Sequence, residues 1–133
     1  MILAVLATCA FLSGSFNAVP GSPGAGNIVY DLRIHNGGTQ ACTLPGVPKL
    51  QLLGKRGKAL PTKVLIARRR PVKTIVLQPG KTATAPIRFS PDVPPGCGLP
   101  AFRLRVATPA VTVRIKPVTH VCSRGLLQVT PFR

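Results

Sequence analysis

The chain has 133 residues, enough for one domain with a real core, and its 45% hydrophobic content excludes a disordered polymer. With 15 Pro and 13 Gly, long helices are disfavoured; with no Trp and 5% aromatics, the core must be mostly Val, Leu and Ile. Eighteen Lys and Arg face only Asp31 and Asp92, a formal charge of +16, so nearly every cation lacks an internal partner and the surface attracts polyanions: nucleic acid, anionic lipid or anionic envelope polymer.

The chain opens on "MILAVLATCAFLSG", which is apolar and precedes the first basic residue, Arg33. It is shorter than the roughly 20 residues of a membrane-spanning helix, and it has no basic region ahead of its apolar run as a signal peptide does. "LATC" at 6–9 loosely matches a lipoprotein box, with Thr before the cysteine where a smaller residue is usual. We read residues 1–10 as the remnant of a signal or anchor, in a fragment or in a chain whose start is assigned too far downstream. Residues 11–133 read as a single β-sandwich domain.

Strand signals then follow in order. "FLSGSFNAV", 11–19, is a weak one. After the turn-rich "PGSPGAG", "NIVYDLRIH" at 27–35 alternates cleanly, with Ile28, Tyr30, Leu32 and Ile34 on one face and Val29, Asp31, Arg33 and His35 on the other. "IHNGGTQACTLPGVP" reads as a strand end, a turn, a cysteine anchor and a crossover. "PKLQLLG", the turn Lys55–Lys58 and "ALPTKVLIA" read as a hairpin. "VKTIVLQ" and "KTATAPIRFS" flank Pro79-Gly80, whose order fits a type II turn. "AFRLRVA" and "VTVRIKP" flank Thr108-Pro109, and "LLQVTPF" closes the chain. Eight to ten short strands with no helical period predict an all-β sandwich or barrel, with Ile28, Tyr30, Leu32, Ile34, Phe102, Leu104, Val106, Val113 and Ile115 in its core.

The four cysteines, Cys9, Cys42, Cys97 and Cys122, show no C-x-x-C spacing, and the two histidines stand apart from them, which argues against a metal or redox site. If 11–19 and 27–35 form a hairpin, Cys9 and Cys42 lie at its open end. Cys97 and Cys122 bracket the open end of the 101–117 hairpin in the same way. Two disulfides would then staple two hairpin mouths, each stabilising by roughly 3–4 kcal/mol in the chain-entropy model, and would place the protein in an oxidising, extracytoplasmic compartment. The alternative is four reduced, buried cysteines.

"GAGNIVYDLRIHN", "CTLPGVPKLQLLGKRGKALPT", "LQPGKTATAPIRFS" and "VCSRGLLQVTPFR" together resemble the domain of unknown function 4232, over about Leu12 to Arg133. The order of motifs is fairly specific; each alone is weak. The resemblance implies an actinobacterial domain that is secreted or membrane-anchored, an immunoglobulin-like antiparallel β-sandwich with two disulfides, and no established activity.

No catalytic constellation is legible. Glycosidase chemistry needs two carboxylates held together, whereas Asp31 lies on a strand's polar face and Asp92 in a Pro-rich loop. No G-x-S-x-G elbow occurs. His35 and His120 read as surface imidazoles. "PGKT" at 79–82 lacks the first glycine of a phosphate loop and precedes a strand; "GSPGAG" at 21–26 lacks a dinucleotide fold around it. The expectation is a non-enzymatic module with no cofactor, no metal and no transmembrane span. The candidate site is a basic face: Arg103, Arg105, Arg114 and Lys116 on the outer side of the 101–117 hairpin, with Arg68, Arg69 and Arg70 adding to the field. Its expected partner is an anionic envelope polymer or lipid surface. The bland reading is that these side chains splay into water. Nucleic acid is the alternative partner, disfavoured by the lack of stacking aromatics and of a reading helix.

Overall fold

The computed structural model describes residues 6–21, 26–67, 72–107 and 110–133. Its strands are β1 (Leu12–Ala18), β2 (Ile28–Asn36), β3 (Cys42–Leu44), β4 (Leu50–Leu53), β5 (Lys63–Ile66), β6 (Ile75–Leu77), β7 (Thr82–Phe89), β8 (Ala101–Val106), β9 (Val111–Thr119) and β10 (Leu126–Val129). One ladder runs β4-β8-β9-β1-β2-β7-β10-β5, and β3 pairs with β6 in a second. The helical elements among the described residues are two short turns, Lys55–Gly57 and Cys122–Gly125. The arrangement is the expected immunoglobulin-like β-sandwich with two disulfides. Antiparallel pairs dominate, but β1–β9 and β5–β10 are parallel.

The core follows from alternation. On β2, Tyr30, Leu32 and Ile34 are buried between β1 and β7, and Phe16 from β1 joins them. The rings of Phe16, Tyr30 and Phe89 form a tilted row with successive centroids 5.0 Å apart, a favoured aromatic spacing. Leu104, Val106, Val113 and Ile115 supply the inward side of the β8–β9 hairpin. The order nearly closes on itself. The chain leading from β4 toward β5 folds back along β4's free edge, where the Leu60 amide donates to the Leu52 carbonyl (2.9 Å) and the Leu52 amide donates to the Thr62 hydroxyl (2.9 Å).

Four local expectations need correction. The 48–54 and 59–67 runs meet only at the bridge Leu53↔Ala59; β4 pairs with β8 and β5 with β10. Pro61 has no amide proton to continue a hairpin ladder. The turn at Pro79-Gly80, by contrast, forms as read, with Gly80 at φ +77° and the Lys81 amide donating to the Gln78 carbonyl; its flanking strands pair elsewhere, β6 with β3 and β7 with β2 and β10. Cys42–Leu44 is a strand of its own rather than part of a crossover. Phe102 is only half-buried and Ala101 takes the inward position, because the β8–β9 register shifts between Ala101 and Arg103. Ile28 likewise packs at the edge of the core and is only partly buried.

Candidate functional site: a basic face on β8 and β9

Alternation that buries Leu104, Val106, Val113 and Ile115 forces Arg103, Arg105, Arg114 and Lys116 outward, and all four are exposed. Arg103 stands directly opposite Arg114, and Arg105 opposite Thr112 and Gln51. Along β8 the two arginines are two residues apart, hence about 6.8 Å along the strand; strands lie about 4.8 Å apart. Like charges this close repel by a few tenths to about 1 kcal/mol.

No acid relieves them. The ion pair found among the described residues is Arg33–Asp31, at 4.0 Å on β2. Asp92 is exposed in the loop before β8. The Lys55–Gly57 turn, legible in the sequence as a turn, packs against β8 and brings Lys55 and Arg56 beside the face, a contact the sequence does not show. Lys49 joins from the start of β4, its carbonyl accepting from the Ala107 amide (3.0 Å). Arg68, Arg69 and Arg70 lie outside the described residues.

Both cysteine pairs form disulfides, Cys9–Cys42 and Cys97–Cys122. The first is clamped by strand-like hydrogen bonds: Thr43 N–H to Ala7 O (2.9 Å) and Cys9 N–H to Thr43 O (3.3 Å). Above it, Asn36 is 2% exposed and fully engaged. Its amide donates to the carbonyls of Gln40 and Leu77 (2.9 Å each) and its side-chain oxygen accepts from the Gly38 amide (2.9 Å). The Asn-Gly-Gly signal marks this joint between the two ladders, which the sequence shows only as a strand break.

The remaining candidates are ordinary. The half-buried His35 shares a hydrogen bond with the Thr82 hydroxyl (3.0 Å), and the exposed His120 lies 3.1 Å from the Gly98 carbonyl oxygen. Lys81-Thr82 leads into β7, not a helix. Among the described residues no group of three His, Cys, Asp or Glu could hold a metal ion.

The family model of a domain of unknown function, DUF4232, matches residues 9–133, from the first cysteine to the last residue. The chain belongs to this family. No curated protein and no solved structure matches it. All four cysteines of this DUF4232 domain, its full strand order and the basic face lie within the matched span. Among the described residues, no helix is long and apolar enough to cross a membrane.

Proposed function

We propose that this DUF4232 domain is a non-enzymatic, extracytoplasmic module that docks onto an anionic polymer of the cell envelope through the outer face of β8 and β9. The observation that carries the reading is the opposed pair Arg103↔Arg114, flanked by Arg105 and Lys116, on strands that hold no acid. A protein that only needed solubility would gain it from mixed charges; stacking cations across a ladder costs stability and is repaid when an anionic chain neutralises them. Three of the four are arginines, whose planar forks suit phosphate and carboxylate oxygens. The two disulfides support an oxidising compartment. The scarcity of carboxylates supports a binding rather than a catalytic role.

Binding of this kind is multivalent, weak per contact and steeply salt-dependent. The test is titration with poly(glycerol phosphate), anionic vesicles and duplex DNA over a salt series, for the native protein and for the quadruple variant Arg103→Ala, Arg105→Ala, Arg114→Ala, Lys116→Ala. The reading expects polymer binding that falls with salt and is lost in the variant, with the melting curve unchanged. Preference for vesicles or DNA over the polymer would move the partner class. No binding at low salt, or binding indifferent to the four changes, would end it.

A further inference from the structure

The outer face changes character at one row. The parallel pairing of β1 with β9 sets Asn17 beside Lys116, and the antiparallel pairing of β1 with β2 sets Asn17 beside Asp31. Phe16 and Ile115, one position back, are both buried, so Lys116, Asn17 and Asp31 share the outer surface. Next to Lys116 lies a groove of about 310 Å³ lined by Ser15, Asn17, Asp31 and Arg33, with Ala18, Val19 and Pro20 at one end.

With Asp31 beside Arg33, this groove is less cationic than the β8–β9 face and has the right chemistry for hydroxyls. It holds one of the two acids of a chain of formal charge +16. The Asp31 side chain is 24% exposed and Arg33, its ion-pair partner, 61%. A carboxylate repels phosphate but accepts from O–H donors; an amide and a serine hydroxyl donate and accept. The apolar end offers a surface for C–H groups. No aromatic ring lines the groove to stack a base. Lys116 and Asp31 are two strand spacings apart, about 9.6 Å, so one short repeat can touch both.

We infer that the ligand of the basic face is a polyhydroxylated polyanion, whose anionic groups lie on Arg103, Arg105, Arg114 and Lys116 and whose free hydroxyls enter the Ser15–Asn17–Asp31 groove. This rests on the docking role proposed above and narrows it to polymers that carry both groups in each repeat. Polyphosphate and DNA offer the charge without a free hydroxyl in each repeat.

Asp31→Ala decides it, because charge and hydroxyl recognition predict opposite signs. Removing a carboxylate makes the surface more positive and should tighten any purely electrostatic complex. If Asp31 accepts ligand hydroxyls, affinity for poly(glycerol phosphate) should instead fall about ten- to a hundredfold, the loss of one hydrogen bond to a charged group, while affinity for inorganic polyphosphate is unchanged or rises. Polygalacturonate, a carboxylate polymer with hydroxyls, separates the two sources of anion: weakening there too means that the groove reads hydroxyls whatever the anion. Asn17→Ala, at an exposed position, should repeat the pattern and covers the case in which Asp31→Ala lowers the melting temperature. Equal or tighter binding of both hydroxylated polymers by both variants overturns the inference while leaving the basic face standing. Binding that survives the quadruple β8–β9 variant removes the docking role beneath it.

Discussion

The hydroxyl of Tyr30, on β2, donates to the carbonyl oxygen of Pro117, on β9, at 2.8 Å. The bond spans β1, which lies between the two strands in the ladder, so one phenol ties together three strands around the aromatic row. Tyr30→Phe keeps the ring and removes the bond; we expect a loss of about 0.5–1.5 kcal/mol by denaturant titration, with the fold unchanged by circular dichroism.

The same residue shapes the alkaline limb. Burial pushes the Tyr30 hydroxyl above its ordinary pKa of 10.0, partly offset by a hydrogen bond with the Thr119 side chain. An acid whose pKa is raised on folding stabilises fully below the unfolded value, and that contribution is lost as pH rises through the folded value. Stability should therefore fall above about pH 10, and Tyr30→Phe should flatten that part of the decline. An identical alkaline limb in the variant would show that Tyr30 does not contribute.

Cys122 is completely buried and bonded to Cys97. Cys122→Ala should cost roughly 2–5 kcal/mol, the usual penalty for losing a native disulfide from a small domain. Peptide mapping without reductant should recover the Cys97–Cys122 and Cys9–Cys42 peptides and no mixed pairs.

Asn36→Asp tests the joint between the ladders. The amide that serves Gln40 and Leu77 would become a carboxylate facing two carbonyl oxygens in a buried site. We expect destabilisation of at least about 2–3 kcal/mol at neutral pH, measured by thermal melting.

Gly80 and Gly125 both sit at positive φ, +77° and +80°. Nothing lies within 4 Å of a Cβ added at Gly80, whereas at Gly125 it would overlap the carbonyl group of Pro61. Gly80→Ala should cost about 1–2 kcal/mol through backbone strain alone. Gly125→Ala should cost clearly more, and the difference measures the packing of the Cys122–Gly125 turn against the chain entering β5.

What was legible depended on distance along the chain. The alternation of Tyr30, Leu32 and Ile34 against Asp31 and Arg33 is a local pattern, and so is that of Leu104 and Val106 against Arg103 and Arg105; both appear as read. The two disulfides followed from hairpins whose strands are neighbours in sequence. The failures are where neighbours part. The turn at Lys55–Gly57 has hairpin residues, yet β5 leaves to join β10 in parallel, a choice made by remote packing. Ala101 and Phe102 exchange faces through a bulge that no local periodicity encodes. The groove beside Lys116 was invisible for the same reason: Asn17 meets Lys116 only through a parallel pairing of the first strand with the ninth.

β5 ends the strand order, and its Leu65 and Ile66 are 44% and 46% exposed. An apolar terminal strand is an invitation to pair with another copy. Neither strand length nor a proline inside β5 forbids it, and the strand carries a single cation, Lys63. The deterrent is collective: two molecules of charge +16 repel before their edges can meet. The excess of arginine and lysine would thus act as a colloidal brake beside its proposed docking role. The brake is released by salt, since the screening length shrinks to about 3 Å at 1 M, and equally by a bound polyanion. The domain should stay dispersed when free and cluster when its charge is spent, so that a polymer long enough to neutralise several copies would also gather them.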